Sequence, residues 1–144
     1  MNVLAAIDFS GVTEAVMRTL REMAAALPVH VRLVHVAPPD PVFIGYGPGP
    51  RAVRGQVATE HRARHQNLQG LADELRKDGI EATALLVQGS TVEMLLAEAE
   101  RMPATLIVLG SHGHSAVYDL LVGSVSEGVV RRAKVPVLLV PSRS

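Results

Sequence analysis

Residues 105–127 read Thr-Leu-Ile-Val-Leu-Gly-Ser-His-Gly-His-Ser-Ala-Val-Tyr-Asp-Leu-Leu-Val-Gly-Ser-Val-Ser-Glu. The apolar residues Leu106, Ile107, Val108 and Leu109 run without alternation into Gly110. Such a run, stopped by glycine, is the pattern of a short strand buried on both faces, as in a parallel sheet. Gly113 follows three residues later, and Gly123-Ser124 comes ten further on, at the head of a helix expected over 125–132. Glycine at a strand end lets the backbone approach a ligand and reach φ > 0. A helix opening at Ser124 presents unpaired N–H groups and the positive end of its dipole, which suits an anion. Ser124-Val125-Ser126-Glu127 also has the form of a capping box, a purely local use of Ser124 worth ~1 kcal/mol. The two uses are compatible.

The same grammar extends in both directions. Residues 3–7 form another apolar run, ending at Asp8, and Ser10 and Thr13 precede a helical stripe of Val16, Leu20, Met23 and Leu27 that Pro28 closes. A strand at 30–36 stops at Ala37-Pro38-Pro39, because proline cannot continue a ladder. Pro38, Pro39, Pro41, Gly45, Gly47, Pro48, Gly49, Pro50 and Gly55 make residues 38–55 a flexible loop. A loop this long in a compact domain is a functional flap or a disordered segment. Helices over 56–77, with Gly79 as its C-cap, and from Ser90-Thr91-Val92-Glu93 onward flank a strand at 82–87. Val135-Pro136-Val137-Leu138-Leu139-Val140 is the last strand. The order β-α-β-α-β-α-β-α-β implies a parallel sheet with helices on both faces. Ligands of such folds sit past the C-terminal strand ends, where strand order reverses.

Composition narrows the function. The 144 residues fit one domain, 1–144, and 48% hydrophobic content supplies a core. Fourteen basic and fourteen acidic residues cancel, and aromatic residues are 3% of the chain, which argues against a nucleic-acid partner. Cysteine is absent, so thiol catalysis and Cys-based zinc sites are excluded. No apolar run reaches the ~20 residues of a membrane span, and Asp8 comes too early for a signal peptide. The expectation is a cytoplasmic protein without a membrane segment.

Several known phosphate sites and a nucleophile site fail on inspection. The chain has no G-x-x-x-x-G-K-[ST] motif, no G-x-G-x-x-G after its first strand, and no G-x-S-x-G around Ser111. What remains, Gly110-x2-Gly113-x9-Gly123-Ser124, resembles the ATP-binding signature of the universal stress protein family. The likeness extends over essentially the whole chain: Ile7-Asp8-Phe9-Ser10 resembles the family's first strand end, His35-Val36 its second, and the 135–140 strand its last. The resemblance implies a Rossmann-like (adenine nucleotide α-hydrolase-like), five-stranded sheet of order 3-2-1-4-5. It implies adenine beside Asp8 and the Val36 backbone, and ribose at Gly110 with Leu109 next to it. Phosphates would lie on Gly113, Gly123, Ser124 and Val125, and Mg2+ or Mn2+ would be carried through them. ATP is the expected ligand, with AMP or ADP as alternatives. It further implies a homodimer through the 135–140 edge strand and a downstream protein partner. One departure is Ala6, where relatives commonly carry proline, which loosens the match of the first loop.

Other side chains have plainer readings. Asp8 either contacts nucleotide or caps the following helix, and His112 and His114 either donate to phosphate or face solvent. His61 and His65 share metal-ligand spacing, but Arg62 and Arg64 beside them disfavour a cation, so a solvated face is the better reading. No lysine or arginine falls between Gly110 and Gly123, and the lysines are Lys77 and Lys134. Rapid phosphoryl transfer needs such cations. The expected function is a nucleotide-dependent stress-response module with slow or no hydrolysis and no catalytic residue. The rivals are a nucleotide-free dimerisation module and a metal-dependent ATPase or phosphotransferase drawing on Asp8 and His112.

Overall fold

A computed structural model of the chain describes residues 1–39, 51–111 and 122–142, without the side chains of 51–57. Strands and helices alternate: β1 (Asn2–Ala6), α1 (Thr13–Ala26), β2 (His30–Ala37), α2 (Arg51–Lys77), β3 (Glu81–Gln88), α3 (Thr91–Arg101), β4 (Leu106–Gly110), α4 (Ser124–Arg132) and β5 (Val137–Val140). The strands form one sheet of order β3-β2-β1-β4-β5. Every pairing is parallel, with Ala5 beside both Leu33 and Val108. This is the sheet expected from the sequence. Its direction of winding reverses between β1 and β4.

Two apolar layers explain why the strands lack alternation. On one face Val3, Ala5, Ile7, Val31 and Leu33 pack with Val16 and Leu20 of α1 and Leu68 and Leu75 of α2. On the other, Leu4, Val34, Ile107 and Leu109 pack with Leu95 of α3 and Val129 of α4. Successive side chains of one strand thus enter opposite cores. The helix pair α3 and α4 is drawn close at Gly128, where a Cβ would stand 2.8 Å from Val92 Cγ2.

Several boundaries differ from expectation. The helix α2 begins at Arg51, so it takes in the last five residues of the expected 38–55 loop. Arg51-Ala52-Val53-Arg54 are compatible with a helix, and the interior glycine costs only ~1 kcal/mol. Residues 40–50, the rest of the expected loop, lie outside the described residues. Leu27 leaves the α1 stripe: it is extended (φ −141°, ψ 146°) and 48% exposed. Pro28 is the cause, because the residue before proline is pushed out of the helical region. The last strand begins at Val137 rather than Val135, since Pro136 has no N–H, although its carbonyl accepts from the Ile107 N–H at 3.0 Å. Gly79 closes α2 as expected, in the left-handed region at φ 79°.

Candidate functional site

The turn after β1 is built by its own polar atoms. The Ile7 N–H donates to the Val34 carbonyl at 2.8 Å, and the Ser10 N–H donates to Asp8 Oδ1 at 2.9 Å. The second bond closes an Asx-type turn, which lets the chain double back before α1. Phe9, within that turn, takes φ 59°, a left-handed backbone unusual for a non-glycine residue. Asp8 does not cap α1, whose N-cap is Val12. Its carboxylate instead holds the turn at the edge of the cleft.

Across the switch point, β4 ends at Gly110. The Ser111 N–H donates to the Val140 carbonyl at 2.8 Å, and the Gly123 N–H donates to the Ser111 carbonyl at 2.6 Å. Ser126 Oγ donates to the Gly110 carbonyl at 2.7 Å. These bonds pin the start of α4 against the end of β4. Gly123, not Ser124, is the N-cap (φ −72°, ψ 164°), and among the described residues no side chain caps the helix. The reading of Ser124 as a capping residue is therefore corrected: it is the first helical residue, and its hydroxyl is one position too late. Among the described residues, no acceptor bonds the N–H groups of Ser124, Val125 or Ser126. Gly110 does not take the positive φ open to glycine, and a Cβ there would also collide with Val12 Cγ1, so the missing side chain makes room for the N-cap of α1.

Between the two turns opens a cleft of about 280 Å³. Asp8, Val36, Leu109, Gly110, Gly123, Ser124 and Val125 all line it, so seven of the eight positions singled out in the sequence meet in one place. Gly113, the eighth, lies outside the described residues, as do His112 and His114. Ala6, Val34, His35, Thr91, Leu95 and Ser126 also line the cleft. Periodicity marks Leu95 only as a core position, and Thr91 only as the start of a helix; the winding of the sheet brings both here. None of the described lining residues is lysine or arginine. The walls are mainly aliphatic, with Asp8 on one rim and the α4 N–H groups on the other. His61 and His65 face neutral partners, Gln88 and Gln69 respectively. Among the described residues, no three potential metal-ligating side chains cluster.

His35 has an unusual environment. Its Nδ1 lies 2.7 Å from the Ile7 carbonyl, which can only accept, so Nδ1 carries the hydrogen. Its Nε2 is buried and has no partner among the described residues. Burial lowers the imidazole pKa from its usual 6.5; the Ile7 bond and Asp8 oppose that shift, while Arg64 and His61 add to it.

The parallel sheet with a cleft at its switch point defines a Rossmann-like α/β domain. The chain belongs to the universal stress protein family, whose model matches residues 1–141. A universal stress protein of Thermus aquaticus is 32% identical over 138 residues, 96% of each chain. The solved structure of protein MJ0577, from Methanocaldococcus jannaschii, superposes with a TM-score of 0.80 at 23% identity, covering 99% of this chain and 96% of that one. A universal stress protein solved in complex with cAMP gives 0.69 at 25% identity, covering 99% and 98%. One from Archaeoglobus fulgidus in complex with dAMP gives 0.63 at 23% identity, covering 97% of each chain. No described helix is long and apolar enough to cross a membrane.

Proposed function

We propose that the cleft binds an adenine nucleotide, ATP first and AMP or ADP as alternatives, and that the protein acts through occupancy rather than turnover. The carrying observation is the convergence of Asp8, Val36, Leu109, Gly110, Gly123, Ser124 and Val125 around one cleft. Aliphatic walls at Val34, Val36, Leu95 and Leu109 suit the faces of a purine, while Asp8 can accept from an exocyclic amine. The N–H groups at the start of α4, with no described acceptor, suit a phosphate, which needs donors but no side-chain charge. The complexes of two structural neighbours with dAMP and cAMP support the same ligand class, because both molecules carry adenine and a phosphate on a sugar. Mg2+ or Mn2+ would be held through the phosphates.

Slow or absent hydrolysis follows from the lining, where no described lysine or arginine stands to neutralise charge developing on a transferred phosphoryl group. A turnover above roughly 1 per second, within the ordinary enzyme range, contradicts this. A bound nucleotide would present a changed surface to a downstream protein in the cytoplasm. Pairing through β5 would make the protein a homodimer: β5 is an edge strand and Leu138 is 37% exposed. Light scattering at micromolar concentration is expected to give twice the chain mass, and a monomer removes this pairing. The test of the ligand is a calorimetric titration with ATP, AMP, NAD and cAMP in turn. Binding of ATP or AMP is expected, and binding of none of the four overturns the reading.

A further inference from the structure

The described residues offer several features beyond the nucleotide contacts expected from the sequence. A groove at the N-terminal strand ends holds Arg32, Arg76 and Arg101, but each already bonds an acid. Exposed Leu27 and Met1 lie at the same end, with nothing to indicate a partner. His35 differs, because its one hydrogen bond reaches the main chain of the turn that carries Asp8, and its other nitrogen is sealed from solvent.

The chain of contacts is short. Val34 and Val36 enter the core beneath α3, so strand alternation sends His35 to the opposite face, beside Val31 and Leu33. There its Nδ1–H donates to the Ile7 carbonyl, one residue before Asp8. Its ring packs on Phe9, one residue after Asp8, with centroids 4.8 Å apart and planes inclined by 51°. The left-handed Phe9 is thereby braced from outside the turn. Asp8 stands between two residues that His35 holds.

We propose that His35 is a positioning residue for nucleotide binding: its single neutral tautomer fixes the Ile7–Phe9 turn that presents Asp8 to the cleft, and protonating its buried Nε2 loosens that turn and weakens binding. This rests on the adenine-nucleotide reading above. A proton on Nε2 adds a charge and a donor where no described acceptor waits. Of the groups facing the ring, Asp8 from the turn favours that charge, whereas His61 and Arg64 from α2 oppose it. The neighbouring strand β3 sets neutral Leu86 opposite His35 in register. The sign follows from burial. Because the folded ring takes up its proton below the usual histidine value of 6.5, protonation favours the unfolded chain. This contribution to stability is complete above that value and is lost as pH falls toward the folded value. Affinity depends on the folded ring alone, so it falls only as pH approaches the folded value from above.

The test compares three proteins by calorimetry with AMP, from pH 7.5 down to the lowest pH at which thermal unfolding shows each still folded. Replacing the ring by His35→Leu removes the donor and is expected to weaken binding about tenfold at pH 7.5, the scale of one hydrogen bond. The substitution His35→Asn returns an N–H at similar reach and is expected to recover most of that loss. It cannot take up the proton, so the extra weakening of the unsubstituted protein toward the acid end of that range should be missing. Titration of the AMP phosphate is common to all three and cancels. If the unsubstituted protein and His35→Asn show the same pH profile, or if His35→Leu lowers the melting temperature while AMP affinity stays unchanged, the proposal is overturned. If the unsubstituted protein binds neither AMP nor ATP at pH 7.5, the nucleotide reading fails and the proposal falls with it.

Discussion

The two ends of the sheet treat polar groups in opposite ways. At the N-terminal strand ends, charge meets charge or main chain. Arg21 pairs with Glu74 and Asp78, and Glu98 with both Arg101 and Arg32, while Arg76 donates to the Ala82 carbonyl. At the C-terminal ends, no described ion pair crosses the cleft, and the N–H groups that open α4 have no described acceptor. Polar groups satisfied within the chain serve the fold, whereas donors left over on a concave surface suit something brought from outside. The same sheet therefore has one end closed by its own charges and another open to a ligand.

Substitutions can break this contrast, and the largest effect is expected at the open end. Gly123→Val keeps a backbone that valine can adopt (φ −72°, ψ 164°) but sets a branched side chain at the mouth of the α4 N–H groups. ATP binding should fall beyond detection by calorimetry, with the fold retained by circular dichroism; unchanged affinity would count against the site. Gly113→Val is expected to act likewise. Next comes Gly110→Ala, whose Cβ would collide with Val12 at 2.4 Å. Denaturant unfolding should show a loss of ~1–3 kcal/mol from overpacking, where the reading of Gly110 as a ligand contact alone predicts little change. At the closed end, Glu98→Ala removes a carboxylate only 5% exposed and leaves Arg32 and Arg101 without it. Solvent around both arginines limits the cost to about 1–2 kcal/mol, and nucleotide affinity should not move. The smallest effect is expected of Arg21→Ala, below about 1 kcal/mol, because its ion pairs are exposed.

How much of this was legible in the sequence differs by element. The strands were visible because residues such as Leu106 to Leu109 face two cores at once and so show no alternation. Their order came from the family resemblance, and the sheet has it. Helix starts were less readable. Ser124 and Ser90 have the sequence form of capping boxes, yet neither α4 nor α3 has a side-chain cap bond, and at α4 the cap is the preceding glycine. A capping motif states what a side chain can do; the path of the incoming loop decides whether it does. Gly110 was found for its closeness to a ligand, and geometry adds a second reason, since a Cβ there would collide with Val12, the N-cap of a helix about a hundred residues earlier. Thr91 and Leu95 gave no signal as cleft residues, because a helical stripe reads the same whether it covers a core or the floor of a cleft. His35 stood out only as a family landmark, and its bond to Ile7 spans two strands that sequence alone cannot align.

The most direct test is a crystal structure grown with MgATP. The phosphates are expected on the N–H groups of Ser124 and Val125, with the base between the Asp8 turn and the aliphatic wall of Val36 and Leu109. Phosphates bound instead among Arg32, Arg76 and Arg101, at the far end of the sheet, would contradict the account.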